Sequence, residues 1–372
     1  MSGHSLIPAH IARLPWKMLS LVLAIGGFGL VVLYSAAGGH IRPWALSQGV
    51  RFLVLLGVAI GMSRIREEQL KQAAFPLYGT LLVLLLAVEL IGAVGGGSQR
   101  WLNLGIINLQ PSELMKPAIV ITLARFYDLL PASETRRWNA IWPAVLLIGV
   151  PFLLVLIQPD LGTATMIAAG GITVMFLAGL PLRLFIGGAL AFAALVPIAF
   201  SFLHDYQRNR IEIFLDPEKD PLGTGYHIIQ SKIAIGSGGI TGKGFLQGTQ
   251  SHLDYLPEGH TDFVFATMAE EWGLVGGIGI IIAFLLLVNW GMRVALRAQS
   301  RFMRLTAAGL ATTIFFYFAI NLMMVMGLAP VVGIPLPLVS FGGSAMMTVL
   351  LSLGILMAIA REDRRRSTGG NF

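Results

Sequence analysis

Long apolar runs, each closed by a short polar or charged stretch, alternate along nearly the whole chain. A helix needs about 20 residues to cross the hydrocarbon of a bilayer, and roughly 18 apolar residues in succession mark a candidate span. Ten runs meet that description: residues 17–35, 45–62, 75–94, 112–129, 141–157, 161–179, 182–202, 266–290, 305–326 and 338–360. The pattern predicts an all-α polytopic membrane protein, with one transmembrane domain over 1–372. Between the seventh and eighth spans lies a single long loop, 203–265, rich in polar residues and glycine, and the chain ends in a basic tail, 361–372, read as disordered.

Composition agrees with the pattern. The 372 residues are 55% hydrophobic and 12% charged, where a soluble domain carries roughly 25% charge, and the mean hydropathy is +0.76. A net charge of +7 would suit nucleic acid if it were gathered on one face, but the basic residues are scattered among short connections, which argues against that partner. Arg64, Arg66, Arg136, Arg137, Arg293, Arg297, Arg301, Arg304 and the tail arginines fall on one side of the predicted bundle. The other side carries Arg42, Arg51, Arg100 and, in the long loop, Arg208, Arg210, Lys219, Lys232 and Lys243. Positive charge favours the cytoplasm, so both termini are expected inside and the long loop outside. With no cysteine, disulfides and thiolate chemistry are excluded. The polar start is long for a signal peptide and lacks a small-x-small cleavage site, so the first run is expected to stay as a span.

Polar residues at membrane depth are the chemical signal. Pro111-Ser112-Glu113 reads as a helix start, and Glu113 and Lys116, three apart, share a face. They form either an ion pair at a helix end or the lining of an outward polar cavity. Asp160, after Pro159, either caps the sixth span or belongs to the rim of that cavity. Arg208 and Arg210 suit phosphate as paired guanidiniums, or are a solvated basic pair. The segment IAIGSGGITGKG at 233–244 is not a Walker A loop, because Gly242-Lys243 is followed by Gly244. Its glycines present backbone N–H groups to a phosphate, helped by Lys232 and Lys243, or they allow a close fold over the bundle. His260, Thr261 and Asp262 stand just before the eighth span. Thr261 or Asp262 would cap that helix, or Asp262 would be a general base whose pKa partial desolvation raises. Gly26 and Gly29 suit close helix packing, Asn321 an interhelical hydrogen bond, and Ser340 and Ser344 lie at a Pro/Gly break before or inside the last span, where they could face the cavity. No acidic or histidine spacing suggests a metal cage.

QPSELMK at 110–116, QPDLGT at 158–163, YQRNRIEIFLDPEKDPLGTGYHIIQSKIAIGSGGITGKG at 206–244, GTQSHLDYLPEGHTDFVFA at 248–266, EEWG at 270–273 and PLVSFGGSAM at 337–346 together resemble the SEDS family (shape, elongation, division and sporulation), in its rod-elongation branch. The resemblance covers essentially the whole chain. It implies a peptidoglycan glycosyltransferase that polymerises lipid II into β-1,4 glycan on the periplasmic side of the bacterial inner membrane. It also implies a class B penicillin-binding transpeptidase and other elongation-complex membrane proteins as partners. The family's essential aspartate maps onto Asp262, and its fourth-helix acid and lysine map onto Glu113 and Lys116. A single inverting displacement is expected. Asp262 would be the base, with Lys116, Arg208, Arg210 and Lys243 offsetting pyrophosphate charge, and with Lys232, Asp160, His260, Ser340 and Ser344 at the substrate. The phosphoanhydride leaving group supplies the energy, so no nucleotide is needed, and a divalent cation at the pyrophosphate is left open. The competing readings are a lipid II flippase, which needs polar residues through the full thickness, and a non-catalytic scaffold for the transpeptidase, which needs no Asp262.

Overall fold

The computed structural model describes residues 14–95, 98–103, 108–131, 133–202, 205–220, 223–253, 255–256 and 258–369. The chain is mostly helical: α1 (Trp16–Ala36), α2 (Trp44–Met62), α3 (Glu67–Ile91), α4 (Pro111–Leu129), α5 (Trp138–Ile157), α6 (Leu161–Leu177), α7 (Leu182–Phe202), α8 (Asp205–Leu215), α9 (Thr224–Ser237), α10 (Thr249–His252), α11 (Val264–Arg297), α12 (Arg301–Val325) and α13 (Gly343–Gly369). Each of the ten predicted runs falls on a helix. Among the described residues α1, α2, α3, α5, α11, α12 and α13 are long and apolar enough to cross a membrane. Shorter apolar stretches lie in α6 and α7, and α4 carries Glu113, Lys116, Arg125 and Asp128 among its 19 residues.

The centre of the bundle is α4 with α6 and α12. α4 also packs on α3, and α12 on α11. Association in lipid rests on close packing between small residues, since lipid is as apolar as the helices. A methyl added at Gly309 would lie 2.6 Å from Val120, and one at Gly291 would lie 2.8 Å from Ala311. Gly26 and Gly29 serve the packing role expected of them. Gly26 faces the Phe52 ring, and Gly29 faces the backbone of Leu338 and Val339 at 2.7 Å.

Three elements depart from the sequence reading. The connection before α4 holds a small antiparallel sheet, β1 (Ala93–Gly95), β2 (Ser98–Asn103) and β3 (Asn108–Leu109), in the order β1-β2-β3. The long loop carries α8 and α9, and α9 lies against α11. The basic tail is helical through Gly369, because α13 continues past the apolar run.

The glycine-rich segment is used for packing. α11 breaks at Gly273, which has φ 62° and ψ −161°, and a break in a buried helix leaves carbonyls and N–H groups without partners. Residues 239–244 lie across it and satisfy both sets. Lys243 N donates to Glu270 O (3.0 Å) and Gly244 N to Glu271 O (3.1 Å), while Leu274 N donates to Gly239 O (2.9 Å) and Val275 N to Ile240 O (3.1 Å). The approach is too close for side chains: a Cβ at Gly242, where φ is +85°, would lie 2.0 Å from Glu271 O. We expect Gly242→Ala to cost at least about 2 kcal/mol, read as a lower thermal midpoint of the purified protein. Gly236→Ala, with nothing within 4 Å, should be neutral or stabilising by up to about 1 kcal/mol.

Candidate active site

The first turn of α4 holds a buried charge pair. Pro111 occupies the start of the helix, where a missing N–H costs nothing, and places Glu113 near the positive end of the helix dipole. Lys116 is 1% exposed and Glu113 5%, and an ammonium at that depth is tolerated only if paired and hydrogen-bonded. Lys116 Nζ donates to Glu113 Oε1 at 2.7 Å and to the Tyr317 hydroxyl at 3.0 Å, and lies 4.5 Å from the centroid of the Tyr317 ring. The Tyr317 hydroxyl donates in turn to Glu113 Oε2. The Thr348 hydroxyl is 3.1 Å from Glu113 O and 3.2 Å from its Oε2, one donor between two acceptors. Residues from α4, α12 and α13 therefore close one polar cluster. Sequence reasoning missed Tyr317 and Thr348. The available signal was a tyrosine within an apolar helix, whose hydroxyl needs a partner.

Four residues further along α12, on the same face, Asn321 holds the neighbouring turn. Its Nδ2 donates to Asp262 O at 2.8 Å and to Ile334 O at 2.7 Å, so it ties two connections together where two helices were expected. Asp262 is half-buried, and its Oδ2 lies 3.5 Å from where a side chain on Gly333 would begin. Neither Thr261 nor Asp262 is the N-cap of α11. That position is Phe263, which has no side-chain cap, and the Thr261 hydroxyl is bonded to Glu258. The His260 ring stacks on Trp44, centroids 3.9 Å apart, and its carbonyl accepts from Phe341 N at 2.8 Å. Arg51 stands beside them with its guanidinium 5.2 Å from the Phe341 centroid. It is exposed and enters none of the ion pairs among the described residues. Arg51 is a second candidate that sequence reasoning passed over.

Several predicted substrate contacts are already engaged within the protein. Asp160 is buried and caps α6 by accepting from Thr163 N at 3.0 Å. Gln110 Nε2 reaches its other oxygen at 3.3 Å, and the Arg100 guanidinium lies 3.7 Å away. Lys243 donates to Glu270 Oε1 at 2.6 Å and to the Thr249 hydroxyl at 2.8 Å. Its charge fastens the glycine-rich segment, because Glu270 is itself fully buried. Ser340 is buried, its hydroxyl accepting from Leu336 N at 2.8 Å, so it shapes its own turn. Lys232 is exposed on α9 with its stem across Gly327. Ser344 is half-buried in the first turn of α13, and Arg208 is half-buried on α8. The Arg210 side chain lies outside the described residues.

The family model for the cell cycle proteins FtsW, RodA and SpoVE matches residues 15–365. The chain belongs to this family. It is 46% identical over 345 residues to the peptidoglycan glycosyltransferase MrdB of Escherichia coli K12, covering 92% of both chains. Over 365 residues it is 36% identical to the probable peptidoglycan glycosyltransferase FtsW of Trichlorobacter lovleyi, covering 95% of this chain and 94% of the relative. Among solved structures, a chain from a peptidoglycan synthase complex that coordinates polymerization and crosslinking superposes with a TM-score of 0.83 at 34% identity, covering 94% of this chain and 98% of that one. The rod shape determining protein RodA of Thermus thermophilus superposes with a TM-score of 0.71 at 30% identity, covering 94% and 97%. Membership fits the apolar helices of a multi-pass membrane protein.

Two predictions follow from the geometry. Lys116→Met leaves the Glu113 carboxylate buried without its cation and should destabilise by about 3–5 kcal/mol. The Glu113→Gln/Lys116→Met pair should recover a large part of that loss, read as thermal midpoints in a double-mutant cycle. Burial holds the pKa of His260 below its ordinary 6.5, with Glu258 partly opposing. His227 is lowered the same way, opposed by Glu258 and Asp220. The unfolded chain therefore binds protons before the folded one, so stability is complete above pH 6.5 and falls as pH drops below it. A melt series from about pH 7.5 to pH 5 should show that slope, and His260→Phe should reduce it to the share of His227.

Proposed function

We propose that the protein is a peptidoglycan glycosyltransferase that polymerises lipid II, with the Asp262 end of the bundle as its active site. The observation that carries this reading is the gathering of Asp262, the Glu113–Lys116 pair and Arg51 at one end of a bundle 46% identical to MrdB. In the proposed reaction the 4-hydroxyl of N-acetylglucosamine on the acceptor attacks the anomeric carbon of N-acetylmuramic acid on the donor. The new C–O bond forms as the bond to undecaprenyl pyrophosphate breaks, and Asp262 takes the hydroxyl proton. Displacement of an α-linked pyrophosphate from the opposite face leaves a β-1,4 bond, so one base suffices and no covalent intermediate is needed.

The remaining roles follow burial. Lys116 is too deeply enclosed to touch a leaving group, so it acts by field and by holding Glu113 and Tyr317 in place. Contact with the pyrophosphate falls to exposed Arg51 and half-buried Arg208, whose guanidiniums suit phosphate oxygens. The active end faces the periplasm and both termini the cytoplasm, on the distribution of arginines. The family resemblance, together with the neighbour taken from a synthase complex that couples polymerization to crosslinking, supports a class B transpeptidase as the working partner. Against a flippase, the middle of the bundle offers buried hydroxyls committed to backbone carbonyls, Thr122 to Ala74 O and Thr313 to Gly309 O.

The test is glycan formation from labelled lipid II by the purified protein, with and without the transpeptidase. Wild type should make polymer, and Asp262→Ala and Asp262→Asn should lower turnover by at least about 100-fold while melting normally. Undiminished polymer from both variants would reduce Asp262 to a structural turn. Lipid II crossing liposome membranes without polymer would make the protein a transporter.

A further inference from the structure

At the opposite end of the bundle from Glu113, a cavity of about 800 Å³ opens between the start of α5, the end of α6, the end of α11 and the start of α12. Arg136, Arg301 and Arg304 line it, and its inner wall is apolar, with Leu177, Met292 and Leu305. Arg301 is held in place by neutral acceptors: its NH1 donates to Leu130 O at 2.9 Å, and its NH2 to the Thr135 hydroxyl at 3.0 Å and to Ala178 O at 3.3 Å. Arg136 Nε donates to Gly179 O at 3.3 Å.

None of the three has a carboxylate partner among the ion pairs of the described residues. Some basic residues nearby do: Arg137 pairs with Glu134 at 3.4 Å, Arg125 with Asp128 at 2.9 Å, and Lys71 with Glu67 and Asp128, whereas Arg293 and Arg297 enter none of these pairs. Three guanidiniums around one cavity without a carboxylate among them concentrate positive charge there, which attracts an anion. Arg301 spends both Nη groups on protein acceptors and supplies fixed charge at the wall, while Arg136 donates through Nε alone among the described residues and keeps its two Nη groups for phosphate oxygens. The volume is that of a small-molecule site and exceeds what a bare phosphate fills. Leu177, and Leu296 at 80% exposure, stand on the lining as surface for an acyl chain.

We propose that this cavity binds an anionic phospholipid, with the phosphate on Arg136, Arg301 and Arg304 and the upper acyl chain along Leu177, Met292 and Leu296. Basic pockets between helices at the cytoplasmic face of a membrane take such headgroups. The proposal does not depend on the glycosyltransferase reading. Only naming the leaflet as the inner one rests on the orientation. A lipid seated there links the end of α6 to α11 and α12, the helices that carry the polar cluster and the Asp262 turn at the far end.

The test is native mass spectrometry of the purified full chain, titrated with phosphatidylglycerol or with phosphatidylcholine of the same acyl chains. Wild type should retain phosphatidylglycerol at concentrations about 30-fold lower than phosphatidylcholine, whose choline cation offsets the phosphate charge that two or more arginines would meet. Arg136→Ala/Arg304→Ala should abolish the preference. Arg293→Ala/Arg297→Ala, the same loss of charge at the same end but outside the cavity, should keep it. If the double variant does not fold, Arg304→Gln at its exposed position should weaken retention about 5-fold. A preference that survives in the cavity variants, or is lost equally in both pairs, would overturn the proposal. Displacement of the lipid by millimolar glycerol 3-phosphate would replace it with a site for a soluble anion.

Discussion

The buried pair of Glu113 and Lys116 is the constraint from which the rest of that end of the bundle follows. Removing two charges from water costs several kcal/mol each, and the pair persists only where its remaining donors and acceptors are met. Tyr317 from α12 and Thr348 from α13 meet them, so three helices are fixed against one another at that depth. Tyr317 and Asn321 share a face of α12, and Asn321 holds the carbonyl of Asp262. The cluster that neutralises a buried lysine thus also sets the position of the proposed base.

A second constraint fixes the approach to that end. The break of α11 at Gly273 turns its first part, with Glu270 and Glu271, into a platform for the long loop. Residues 239–244 bond across the break, and Glu270 accepts from Lys243, Thr249 and Gln250. Glu271 accepts from Ser35 on α1. The long loop is therefore anchored to the bundle by backbone and charge on both sides of the Asp262 turn, the rigid support that the proposed site would need.

The helices were legible in the sequence because bilayer thickness imposes a length that apolar runs must match. The boundaries slipped where helices outrun the hydrocarbon. α3 begins at Glu67 in a charged first turn, and α13 continues through the arginines of the tail. Glu113 and Lys116 were visible from spacing alone, and Asp262 from its place before a span together with the family resemblance. Lys243 read as a free cation because its partner Glu270 is brought near only by tertiary folding. Tyr317 went unremarked for the same reason, since its two charged partners sit on another helix. The glycine-rich segment had two sequence readings, and the choice lay in the backbone of a helix break that no local pattern announces.

The most direct measurement is the structure of the Asp262→Asn protein with lipid II bound in a lipid nanodisc. The acceptor sugar should lie at the Glu113 end, with its N-acetylglucosamine 4-hydroxyl about 2.6–3.2 Å from the side chain at position 262, and the donor pyrophosphate beside Arg51 or Arg208. Lipid II at mid-depth, or with its sugars at the arginine-rich end of the bundle, would contradict it.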